Sequence, residues 1–226
     1  MGKHKKNLSA GDARNAGSGA QVHEDLGGQQ ERDYKAAALY LAQSYGNMLK
    51  QKEYIDKVMS GKAVYTEDDA LDELISTTAS TESDTGIRVQ SSNISNTTER
   101  IGLLLANGFV EKRNREIRQE VLKDTEGRQY LYWKIDVIET AMAERMDSME
   151  QNIFRRLFVK HMTYKQVREA YHKKKLYNRF ISDKRSSALE LIAEEIRLRS
   201  AEPDETETEW LNRLFIEVRE QEADDG

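Results

Sequence analysis

The residues best suited to chemistry in this chain are basic, and they lie together. From Arg155 to Arg185 there are eleven Lys or Arg against two acids, Glu169 and Asp183, a local net charge of +9. A block of that strength suits an anionic polymer, because binding follows the local field rather than the total charge. Inside it runs Arg179-Phe180-Ile181-Ser182-Asp183-Lys184-Arg185. With Ile181 turned inward on a helix, Arg179, Ser182, Asp183, Arg185 and Ser186 face outward. Arg179 and Arg185 have the forked donors that grip guanine O6 and N7, so these five residues are the expected readers of base edges. Asp183 stands four residues after Arg179 and is placed to orient it through an ion pair. Lys165, Arg168, Lys173, Lys174, Lys175 and Lys184 are expected on phosphates, where they add affinity but no direct sequence information.

Other chemistries lack their residues. The chain has no cysteine, which excludes disulfides, thiol catalysis and thiolate zinc sites. Its four histidines, His4, His23, His161 and His172, have no metal-binding spacing. His161 and His172 flank a short helix and are read as phosphate or solvent contacts. Acid pairs such as Asp68-Asp69 and Glu194-Glu195 fall in surface-helix patterns. No phosphate loop, dinucleotide fingerprint or nucleophile elbow is present. Neither an enzyme nor a cofactor is expected.

The elements that must position the basic block are all helical. One proline, Pro203, and abundant helix formers favour an all-α chain. Residues 1–30 are polar and glycine-rich and are expected to be disordered. An N-terminal helical region follows over 31–75. Its first helix carries Tyr34, Ala38, Leu41, Tyr45, Met48 and Leu49 at helical spacing and is ended by Ser60-Gly61. A short acidic helix then spans 67–75. The polar run at 76–93 reads as a linker. Long central helices occupy 94–145, with Asn96 and Glu99 forming a capping box. Their apolar stripe fits either an antiparallel pair or one near-continuous helix interrupted near Thr125-Glu126-Gly127. Within 146–199 three helices come in close order. The first holds Met149, Ile153, Leu157 and Phe158. A second, short helix is capped by Thr163 and carries Val167 inward. After the basic turn His172-Lys173-Lys174-Lys175, the third runs from about Asn178 to Arg199 with Ile181, Ala188, Leu189, Ile192 and Ile196 buried. This is the order of a helix-turn-helix, in which one helix holds the next in a major groove. The segment is expected to bind duplex DNA by itself. Residues 200–226 form an acidic tail with ten acids against Arg213 and Arg219. Within it Trp210, Leu211, Leu214, Phe215 and Val218 make a short amphipathic helix. That stripe is too apolar to stay bare, and it packs on the bundle, pairs with another copy or docks on a partner.

The stretch from about Ile94 to Ala193 resembles the phage and prophage late-gene regulators of the ArpU/RinA type, whose C-terminal part is similar to region 4 of sigma-70-type factors. The resemblance rests on Ser95-Asn96-Thr97-Thr98-Glu99-Arg100, Met149-Glu150-Gln151-Asn152-Ile153-Phe154-Arg155-Arg156-Leu157-Phe158 and Thr163-Tyr164-Lys165-Gln166-Val167. It continues in Arg179-Phe180-Ile181-Ser182-Asp183-Lys184-Arg185-Ser186-Ser187-Ala188-Leu189. Arg168 departs from it where such helices place a small residue, and His172 departs where the turn often has glycine. The resemblance implies promoter binding by sequence and contact with host RNA polymerase.

Charge and hydropathy then narrow the setting. No apolar run approaches the roughly 20 residues of a membrane span, and the basic start has no hydrophobic stretch behind it. A cytoplasmic protein with no membrane partner is expected. Duplex DNA is the expected partner, and self-association is an open alternative. The leading expectation is a sequence-specific transcription regulator, a phage or mobile-element late-gene activator. The alternatives are a small-terminase-like packaging subunit, which would form large rings, and a non-catalytic helical interaction protein, which would not bind DNA. The acidic tail, lying next to the basic helix, is expected to compete with DNA at low salt.

Overall fold

The computed structural model describes residues 18–82, 93–171 and 176–224, with side chains described over 31–76, at 99 and from 101 onward. Among the described residues the chain is all-α. The elements are α1 (Ser18–Met59), α2 (Glu67–Glu82), α3 (Asn93–Ala106), α4 (Phe109–Lys123) and α5 (Thr125–Glu144). They continue with α6 (Ser148–Phe154, then a π-helical turn at Arg155–Val159), α7 (Tyr164–Ala170), α8 (Asn178–Arg199) and α9 (Glu205–Asp224).

Local chemistry sets most of these boundaries. α1 ends in a Schellman motif: Gly61 adopts φ 76°, its N–H bonds Val58 O at 3.1 Å, and the Lys62 N–H bonds Lys57 O at 3.1 Å. Thr66 and Asp69 cap α2 reciprocally, and Asp124 caps α5 by accepting from the Gly127 N–H at 3.0 Å. Asp147 forms a capping box with Glu150 on α6, as Thr163 does with Gln166 on α7.

Four expected boundaries are corrected. Helix α1 begins at Ser18, so residues 18–30 are helical where disorder was expected. Helix α2 runs to Glu82 and takes residues 76–82 from the expected linker. Helix α3 starts at Asn93, ahead of the expected Asn96 cap, whose side chain lies outside those described. Residues 94–145 form three helices rather than one or two, because Gly108 at φ 78° breaks the chain between α3 and α4.

Two apolar cores result. The larger joins α1, α5, α6, α8 and α9 through Leu41, Tyr45, Ile138, Phe154, Ile192, Ile196 and Leu214, with Ala37, Ala38 and Ala42 letting the helices close in. Helix α1 comes so near the π-helical turn that a Cβ on Gly46 would stand 3.2 Å from Phe158 O. The smaller core is Ile153, Val167 and Ile181, one residue from each of α6, α7 and α8, flanked by Met149, Leu157, Met162, Tyr164 and Tyr171. Helix α8 belongs to both cores. Its first half closes the small one, and Ala188, Ile192, Ala193 and Ile196 are buried in the large one. Residues 146–199 therefore do not form a module of their own, because their apolar faces are completed by α1 and α5. No helix among the described residues is long and apolar enough to cross a membrane.

Candidate nucleic-acid interface

The three-residue core fixes α7 against α8 and leaves the opposite faces free. On α7, Val167 is fully buried, while Lys165 and Arg168 are exposed. They lie three residues apart and so share one face. At the end of the preceding helix, Arg155 and Lys160 are also exposed. None of these four cations forms a salt bridge among the described residues. Lys173, Lys174 and Lys175, expected on phosphates, and His172 beside them, lie outside the described residues.

The start of α8 projects from the bundle. Tyr177 is 72% exposed, Phe180 is 37% exposed, and the Arg179 side chain is 94% exposed. Tyr177 occupies the cap position without making a side-chain cap, so among the described residues no side chain caps the first-turn amides at the positive end of the helix dipole. Arg179 and Asp183 approach within 4.0 Å, the expected orienting pair, loosely held and open to solvent. Asp183 and Ser186 are exposed and Ser182 is half-buried.

Two of the expected contact residues have partners inside the protein. Lys184, assigned to phosphate, has its ammonium 2.6 Å from Asp147 and 3.0 Å from Glu150. It holds the start of α6 to α8, and its charge is already matched. Burial raises the Glu150 carboxyl, but the Asp147 N–H, Lys184 and Ser187 outweigh it, leaving the group below its ordinary value. Donation to the Asp147 and Glu150 carboxylates holds Lys184 above its ordinary value. Arg185, assigned to bases, is half-buried with its guanidinium 5.6 Å from the Phe158 ring centre. It braces α8 on the π-helical turn. A similar stacking takes Arg156 over Tyr171 at 4.9 Å.

The sequence reading missed Tyr177, Asn178 and Phe180, the exposed residues around Arg179. Their signal was Tyr177 just ahead of the helix start, where Ser, Thr, Asp or Asn would supply a side-chain cap.

The far end of α8 is bound tightly. Glu195 is buried, accepts from Arg199 at 2.9 Å and pairs with Arg145 at 3.4 Å, while Arg199 also reaches Asp136 at 2.8 Å. Helix α9 settles the open question of the tail by packing on the bundle. Trp210 meets Trp133 at 5.8 Å between ring centres, and Phe215 meets Tyr34 at 5.8 Å. Glu217 accepts from Tyr40 at 3.0 Å and pairs with Lys134 at 3.2 Å. Burial and Glu217 push the Tyr40 hydroxyl up to about 12, so it stays a donor at neutral pH. The ion pairs of α9 among the described residues run to Lys134, Glu126 and within itself, not to the projecting end of α8. Among the described residues the tail does not lie across the basic face.

Comparison with family models, with curated proteins and with solved structures finds no match to this chain.

Proposed function

We propose that this chain is a sequence-specific DNA-binding transcription regulator that reads the major groove with the exposed face of the first half of α8. The observation that carries the reading is the free start of that helix. Arg179 is almost wholly exposed at a helix start without a side-chain cap, beside a capped α7 whose exposed Lys165 and Arg168 have no acidic partner among the described residues. About ten residues at the start of α8 span about 15 Å, and the face opposite Ile181, with Arg179, Asp183 and Ser186, is exposed to a groove about 12 Å wide. The protein works in the cytoplasm without catalysis. In keeping with its resemblance to the ArpU/RinA regulators, it acts as a late-gene activator of a phage or mobile element alongside host RNA polymerase.

The test uses full-length protein and a duplex enriched from random sequence. Lys165→Ala with Arg168→Ala weakens binding to enriched and scrambled duplexes alike, and flattens the salt dependence by about one unit of slope per lost phosphate contact. Arg179→Ala costs about 1–3 kcal/mol on the enriched site and spares the scrambled one. Failure to bind any duplex at about 50 mM salt, where phosphate contacts are strongest, overturns the proposal. Equal losses from Arg179→Ala on both duplexes remove α8 as the reading helix.

A further inference from the structure

Residues 146–199 carry six Phe or Tyr side chains, and the structure treats two of them differently. Phe154 and Phe158 are buried in the larger core, and Tyr164 and Tyr171 pack half-buried against the smaller one. Tyr177 and Phe180 stand in solvent, 72% and 37% exposed. Among the described residues neither ring meets another aromatic ring or a cation. Between them in sequence is Arg179, its side chain 94% exposed. Two neighbouring exposed rings make an apolar patch of the kind that marks a contact surface. The charge around the patch narrows what covers it. Lys165 and Arg168 on α7 are exposed as well, and among the described residues neither forms a salt bridge. A patch bordered by cations suits a polyanion that also offers apolar groups. Duplex DNA offers one in its major groove, the 5-methyl group of thymine, which the other three bases lack.

We propose that Tyr177 and Phe180 receive a thymine methyl beside the guanine gripped by Arg179, so that the chain selects sites with a thymine next to a guanine. The inference rests on the DNA reading above and adds a base that neither charge nor hydrogen bonding selects. Phe180 follows Arg179 by one residue, about 100° round the helix axis and about 1.5 Å along it. Its ring therefore enters the groove beside the guanidinium and reaches an adjoining base pair. Packing of an aromatic ring on the methyl removes apolar surface from water on both sides of the contact.

Full-length protein is titrated with the duplex enriched from random sequence, each thymine being exchanged in turn for deoxyuridine. The exchange removes the methyl and keeps every hydrogen-bonding group. At the contacted position it weakens binding about three- to fivefold, the effect of one buried methyl group. The double variant Tyr177→Ala, Phe180→Ala binds the thymine duplex more weakly and no longer distinguishes it from the deoxyuridine duplex. Arg179→Ala keeps that distinction while losing the preference for guanine. Circular dichroism melts establish that the variants fold. An enriched duplex whose thymines are all exchanged without loss overturns the inference and leaves the DNA reading standing. A double variant that keeps the full deoxyuridine penalty does the same. Absence of binding to any duplex overturns both. Capture by phosphatidylglycerol vesicles instead, abolished in the double variant, gives the patch to a membrane surface and overturns the inference.

Discussion

Replacing Lys184 with Met removes the ammonium but keeps much of the aliphatic stem, and it tests what this lysine is for. In the structure its Nζ is shared between Asp147 and Glu150, on side chains 52% and 9% exposed. The exposed contact contributes little. The one to buried Glu150 is a hydrogen bond between charged groups, a class worth about 1.5–3 kcal/mol. Glu150 is not stranded by the change, since Ser187 Oγ donates to it at 2.9 Å and the Asp147 N–H at 2.9 Å. The loss is therefore set near 2 kcal/mol, below the 3–5 kcal/mol of a fully broken buried pair. For a chain of this size that lowers Tm by roughly 4–8 °C.

The loss depends on pH in a defined way. Glu150 is held below its unfolded value of about 4.3, so its contribution is present above that pH and fades as pH falls through the folded value. Lys184 is raised above its unfolded value of about 10.4, so its contribution is present below that pH and fades as pH rises through the folded value. The difference in Tm between wild type and Lys184→Met is thus widest between about pH 5 and 10, and it shrinks in acid. The assay is calorimetry across that range, with DNA titrations at two salt concentrations on the same samples. An unmoved Tm together with a salt slope reduced by about one would refute the clamp and return Lys184 to the phosphate backbone.

Other consequences follow from the two-core arrangement. Residues 146–199 alone show no cooperative melt by circular dichroism, since Phe154, Ala188, Ile192 and Ile196 are buried partly by α1 and α5; a sharp melt would mean the small core is self-sufficient. Leu214→Ala, at a fully buried position, lowers stability by about 2–5 kcal/mol and leaves the DNA affinity of the folded protein unchanged. Removing residues 203–226 likewise lowers Tm and does not tighten DNA binding at low salt; tighter binding would restore the competing-tail model. Val167→Ala opens a cavity among Ile153, Val167 and Ile181 at a cost of about 1–3 kcal/mol, weakening DNA binding while the emission of Trp133 and Trp210 stays unchanged. A parallel shift in emission would show that the two cores unfold as one.

What the sequence by itself determined is what repeats or closes over a few residues. The all-helical class, the inward Ile153, Val167 and Ile181, the Thr163 cap and the Ser60-Gly61 stop were all legible, because helical periodicity and capping involve side chains within one or two turns. Charge segregation was legible too, as was the separation of the outward Arg179 from the buried Ile181. The tertiary structure alone decided which cations remain free. Lys184 and Arg179 look alike along the chain. Yet Lys184 meets Asp147 and Glu150, more than thirty residues away in sequence, while Arg179 among the described residues meets only its neighbour Asp183. The same holds for α9, whose apolar stripe fitted three partners until Trp133, Tyr34 and Tyr40 supplied one. It holds for the reach of α1 and α2 as well, where helix extends into polar stretches that composition assigned to disorder and linker. Pairing and burial are properties of the space around a side chain, and residues distant in sequence fill that space.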